Sequence, residues 1–103
     1  MDDLQRTAVR MIRRYASDPE TPRKVERAYM VDEGSARMLA AFVHRHRQSP
    51  GWTQEEDDAG KAFAERDHYE RLVREGVPKM EARIAATAYI RRVEEILAGD
   101  AQP

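Results

Sequence analysis

Glu75-Gly76-Val77-Pro78 lies between two long segments of helical periodicity, and reading it as a turn decides the fold. Gly76 readily takes the left-handed conformation that ends a helix, and Pro78 suits the first turn of the next one. The segment before the turn opens at Thr53-Gln54-Glu55-Glu56. This matches a capping box, in which the Thr53 hydroxyl takes the Glu56 amide and the Glu56 side chain returns to the Thr53 amide. Glu55, Glu56, Asp57 and Asp58 then fill a first turn whose dipole favours carboxylates by about 0.3–1 kcal/mol each. A thin stripe of Ala59, Phe63, Arg66, Tyr69, Leu72 and Val73 carries that helix to Arg74 or Glu75, with Gly60 costing it about 1 kcal/mol relative to Ala. The segment after the turn runs from Pro78 to Leu97 or Ala98 and stops at Gly99. It presents Ala82, Ala86, Tyr89, Ile90, Val93 and Leu97 on one face, and Met80, Ile84 and Ala88 on a second. Two apolar faces predict a central helix, and the run Ala85-Ala86-Thr87-Ala88 would let another helix approach closely. Thr53–Leu97 therefore reads as a helical hairpin.

Three shorter helices are expected to form a cap over it. Asp2 or Asp3 can cap a helix over Leu4–Ala16, with Leu4, Ala8, Met11, Ile12 and Tyr15 as its buried stripe and Arg6, Arg10, Arg13 and Arg14 opposite. Ser17-Asp18-Pro19-Glu20 ends it, because Pro19 disfavours helical geometry at Asp18. Thr21-Pro22 then starts a second helix, with Val25, Ala28 and Tyr29 inside. Asp32-Glu33-Gly34-Ser35 reads as a turn with Gly34 left-handed, and a third helix follows from Ala36 to Arg47. Its expected buried residues are Leu39, Phe42, Val43 and part of His46, with Met38 at the edge. Gln48-Ser49-Pro50-Gly51 is the strongest breaker in the chain and reads as a loop, not a domain boundary. The expectation is thus an all-α bundle of four to five helices built around a C-terminal helical hairpin, one domain over residues 1–98 with a disordered tail over 99–103.

Composition narrows the function. At 103 residues the chain has room for one core. Its charged fraction of 36% is high, but the charges alternate between periodic apolar residues, unlike a disordered chain. The sequence has fifteen Arg, three Lys and fifteen Ala, a bias that GC-rich coding alone would produce. Residues 1–50 carry a net +3 and residues 51–103 a net −4. Two such halves are expected either to attract each other within the fold or across a dimer, or to turn the basic half towards an anionic partner; the first is favoured because the chain lacks the overall positive excess of nucleic-acid binders. There is no cysteine, hence no disulfide, thiol nucleophile or thiolate metal site. No apolar run is long enough to cross a bilayer, and the acidic start lacks a signal core, so a cytoplasmic location is expected.

Chemistry-bearing constellations are sparse. His44 and His46 lie two apart, about 200° around a helix, and His68 stands alone among charges, so no metal site is expected. Ser17, Ser35 and Ser49 all fall at turns or caps, and the five glycines are isolated, so neither an activated nucleophile nor a phosphate loop is read. No cofactor and no catalytic residue are expected. The row Arg6, Arg10, Arg13, Arg14 could track phosphates or form an ordinary solvated face. Leu72-Val73-Arg74-Glu75-Gly76-Val77-Pro78-Lys79-Met80-Glu81-Ala82 resembles the middle of a helix-turn-helix, which would imply that the helix after Gly76 reads DNA. That helix offers Ala82, Ala85 and Ala86 where base-reading side chains would be needed. A helical DNA-binding regulator is therefore the second reading. The first is a small non-catalytic module that binds and modulates another protein, of the kind met among phage-encoded and mobile-element accessory proteins. Its expected partner contacts are Arg6, Arg10, Arg13, Arg14 and Trp52, and homodimerisation through the hairpin is expected because the core stripes are thin.

Overall fold

A computed structural model describes residues 1–100 as five α-helices closed by a short π-helical turn, an all-α bundle. The helices are α1 (Asp3–Tyr15), α2 (Glu20–Tyr29), α3 (Glu33–Arg47), α4 (Gln54–Arg74) and α5 (Lys79–Glu95), and the turn is Ile96–Asp100. Of the expected tail, Gly99 and Asp100 belong to that turn, while 101–103 lie outside the described residues.

The hairpin is built as its sequence predicts. At the end of α4 the Gly76 N–H donates to the Val73 carbonyl at 3.1 Å and the Val77 N–H to the Leu72 carbonyl at 3.0 Å. Together with Gly76 at φ 100° this is a Schellman termination, and the apolar pair that completes it, Leu72 and Val77, is buried. At the start of α4 the Thr53 hydroxyl accepts the Glu56 N–H at 3.1 Å. The reciprocal half of the expected box is replaced, because the Glu56 carboxylate lies 3.6 Å from His46 on α3.

Helix α5 is the centre of the fold and packs against α2, α3 and α4. Its first half, Ala82 and Ala85, belongs to one core cluster with Val9, Val25, Tyr29, Leu72 and Val77. Its second half, Tyr89, Ile90 and Val93, joins Ala36, Ala40 and Ile96 in another. The alanine run is consumed inside the chain: Ala85 and Ala86 are buried where neighbouring helices come close. It is not open as a seam for a second copy.

Several local expectations are corrected. Helix α2 starts at Glu20, before Thr21-Pro22, with the Asp18 carboxylate accepting the Glu20 N–H at 3.0 Å. Pro22 is tolerated there because first-turn N–H groups have no intrahelical acceptor to lose. Gly34 lies inside the first turn of α3 without positive φ, since the Asp32 side chain caps that helix through the Ser35 N–H at 3.2 Å. In α3 the buried residues are Ala36, Ala40 and Val43, whereas Phe42 and His46 are exposed. In α4 the stripe was misplaced at its N-terminal half: Ala59, Phe63 and Arg66 are exposed, and Asp57, Lys61, Ala64 and His68 face inward.

The molecule is elongated, 52 × 29 × 19 Å, with a radius of gyration of 15.5 Å. A compact domain of this length has a radius of about 13 Å. Its accessible surface is 7277 Å², against about 5,900 Å² for a typical monomer of this mass.

Candidate interaction surfaces and the polar junctions between them

Helix α1 presents three parallel rows. Gln5, Val9, Ile12 and Ala16 point inward, with Gln5 and Val9 buried. The expected buried stripe lies about a quarter turn away and is largely in solvent: Leu4 is 62% exposed, Met11 56% and Tyr15 71%, with Ala8 between them. Gln5 explains the rotation. Its side chain accepts the Asp2 N–H at 3.1 Å and its N–H donates to Asp2 at 2.8 Å, so a capping box draws this polar residue under the helix. Asp3, Thr7, Arg10 and Arg14 form the third row, on the far side of the apolar one. Together with Met80 and Ile84 at the start of α5, the apolar row walls an open groove of about 470 Å³.

A second exposed apolar row runs along α3. Met38 and Phe42, one turn apart, stand in solvent beside Ala41 and Arg45. Aromatic, Met and Arg side chains are the types enriched at protein interfaces.

The predicted contact residues are dispersed over this framework. Arg6 sits 3.3 Å from Asp3 one turn back, and Arg13 pairs with Glu26 of α2. Arg14 lies over the Tyr15 ring, 5.5 Å from its centroid. Arg10 makes no ion pair among the described residues. Only Arg10 and Arg14 flank the exposed apolar row. Trp52 is elsewhere, half-buried in the loop between α3 and α4.

That loop is clamped by a buried ion pair that sequence reading missed. Arg47, at the end of α3, forks onto the Asp57 carboxylate of α4 at 3.0 and 2.8 Å, and Lys61 approaches the same group at 3.5 Å. Asp57 is buried to solvent. The Arg47 hydrogen bonds hold its carboxyl at about 2, against an ordinary 3.8, despite the opposing effect of burial. The Trp52 indole N–H also contributes to lowering it but falls short of hydrogen-bond geometry. Spacing gave a partial signal, since Asp57 and Lys61 are i, i+4 and face one way. Lys61 continues the network to Glu94 of α5 at 3.9 Å.

A second junction joins α3, α4 and α5. The Tyr89 and Ser35 hydroxyls share a hydrogen bond of 2.9 Å, and the His68 ring stacks on Tyr89 with centroids 4.5 Å apart. The His68 Nδ1 is 2.6 Å from the Arg71 guanidinium and therefore accepts from it. Burial, reinforced by Arg71, lowers the His68 pKa and keeps the ring neutral. Ser, Tyr and His thus meet, but the imidazole faces Tyr89 through its π surface and does not reach the Ser35 oxygen. A nucleophile needs a base within hydrogen-bond reach, so this cluster ties helices together. Glu33 and Arg92 join α3 to α5 at the same end, at 2.6 and 2.9 Å. Near α1, the Tyr29 hydroxyl is buried with no hydrogen-bond partner, and burial followed by the charges of Glu81 and Asp2 pushes its pKa to about 12.

Among the described residues no three His, Asp or Glu side chains come together to hold a metal ion. No helix among them is long and apolar enough to cross a membrane. Comparison with protein-family models, curated proteins and solved structures finds no match to this chain.

Proposed function

We propose that this protein is a non-catalytic interaction module that binds another protein through its N-terminal half. One observation carries the reading: α1 and α3 each hold a row of large apolar side chains in solvent, beside arginines, while the polar clusters serve as internal ties. Contiguous exposed apolar surface on a small domain marks a contact surface. The arginines beside these rows, Arg10 and Arg14 on α1 and Arg45 on α3, supply the charged rim such surfaces favour. Arg6 and Arg13 are already engaged within the chain, and Trp52 acts in the α3–α4 junction, so their part in partner contact is indirect.

The DNA-binding reading has less support. The helix after Gly76 is α5, whose Ala82, Ala85, Ala86 and Ile90 are buried in the core, and a reading helix needs a free face for the major groove.

Site-specific photo-crosslinkers placed at Met11 and at Met38 in the native host test the proposal, with Arg74 as a control position. Adducts to a polypeptide other than this chain at either row, and none at Arg74, are the expected result. Absence of such adducts at both rows would defeat it.

A further inference from the structure

The geometry points to a second copy of this chain as the occupant of the α1 groove, with the two α1 helices packed antiparallel about a two-fold axis. This rests on the interaction reading above and names the partner of one of its two surfaces. The rows of α1 are self-complementary in that arrangement. Leu4, Ala8, Met11 and Tyr15 alternate at spacings of four, three and four, the a/d pattern of a helix–helix seam. In an antiparallel pair with its axis near Ala8–Val9, the Leu4 end of one helix meets the Tyr15 end of the other. The small Ala8 at the crossing lets the two backbones approach.

The flanking row fixes the direction. It begins with Asp3, whose side chain is fully exposed, and ends with Arg10 and Arg14. Antiparallel packing sets each Asp3 beside the partner copy's Arg14, twice by symmetry. Parallel packing would turn this row towards the opposite flank of the partner helix and leave Asp3 and Arg14 without each other. The area is adequate as well. Leu4, Met11, Tyr15 and Met80 (72% exposed) present on the order of 500 Å² per protomer, about 1,000 Å² for the pair, the lower bound for a specific interface. The surface excess and elongated shape of the lone chain fit the same arrangement. The seam lies on α1, not on the hairpin, and it leaves the Met38–Phe42 row of α3 free for a different protein.

Sedimentation equilibrium of the full chain, from low to several hundred micromolar, tests this. The expected result is a reversible species of twice the 11.9 kDa chain mass, abolished by Leu4→Glu with Met11→Glu. Asp3→Arg and Arg14→Asp should each weaken dimerisation about tenfold, and the two together should restore it to within about threefold of wild type. Helix content by circular dichroism identifies any variant that fails to fold, and Arg45→Asp, on α3 and outside the seam, serves as the charge control. A single 11.9 kDa species throughout, a dimer indifferent to the Leu4 and Met11 substitutions, or no restoration in the charge swap would each overturn the proposal. A monomer whose Met11 crosslinks to a different polypeptide would also overturn it, while leaving the interaction reading in place.

Discussion

Helices α1 and α5 are both amphipathic by sequence, yet they end in opposite environments. Helix α1 has the more sharply divided pattern, with a row of Leu, Met and Tyr against arginines, and it leaves most of that row in water. Helix α5 is built largely from alanine with scattered Ile, Val and Tyr, and it is buried against three neighbours. Small residues let helices approach from several sides, so a helix of modest hydrophobicity becomes the centre. Helix α1 leans chiefly on α2 and borders the start of α5, and Gln5, drawn under by its cap, uses part of the inward surface. The strength of an apolar stripe therefore reports what a helix can bury, and the number of neighbours decides what it does bury.

The comparison breaks most visibly in paired charge insertions. Val93→Asp places an unpaired carboxylate in a fully closed site, costing upwards of about 4 kcal/mol, and should abolish the cooperative thermal transition. Met11→Asp should move the stability of the monomer by no more than about 0.5 kcal/mol. Equal effects from the two would mean that α1 is as much core as α5. Next in size is Asp57→Ala, which strands Arg47 and Lys61. Because Arg47 retains partial access to water, the expected loss is about 2–3 kcal/mol in urea titration, below the range for fully buried pairs.

The pH dependence should follow the same groups. The Asp57 carboxyl is lowered in the folded state, so its stabilisation is full above about pH 4 and disappears as pH falls towards 2. His68 is lowered too, so stability should begin to decline as pH drops below its unfolded value of 6.5. Asp57→Asn and His68→Gln melts across that range separate the two contributions. Gly76→Ala should cost about 1–2 kcal/mol, because φ is 100°. The added Cβ also comes within 2.8 Å of the Lys24 Nζ, a flexible group able to move aside. Tyr89→Phe alone should cost about 0.5–1.5 kcal/mol for the lost Ser35 hydrogen bond. If it exceeds the Asp57 effect, the Tyr89–His68 junction and not the Arg47 clamp governs the α3 side of the bundle.

How far the sequence discloses this molecule depends on what signals each feature. The hairpin was legible because Thr53, Gly76 and Pro78 are local devices whose physics acts within a turn. The centrality of α5 was legible because two apolar faces require two sets of neighbours. The orientations of α1, α3 and the first half of α4 were not, since each depends on a polar group being drawn inward: Gln5 by Asp2 on α1, Ser35 by Tyr89 on α3 and Asp57 by Arg47 on α4. Apolar periodicity is blind to a polar side chain that turns inward because a partner there meets its hydrogen bonds. For the same reason the structure disperses the expected contact residues. Arg10 and Arg14 border an exposed apolar row, whereas Arg6, Arg13 and Trp52 have partners or places inside the chain that only the packing reveals.

Native-state hydrogen exchange on the unmodified protein, at the lowest workable concentration, tests the division between α1 and α5 most directly. Amides of Ala86, Ile90 and Val93 should exchange only through global unfolding, while those of Ala8 to Ile12 exchange faster by local opening. Protection in α1 equal to that in α5 under these dilute conditions would contradict the account.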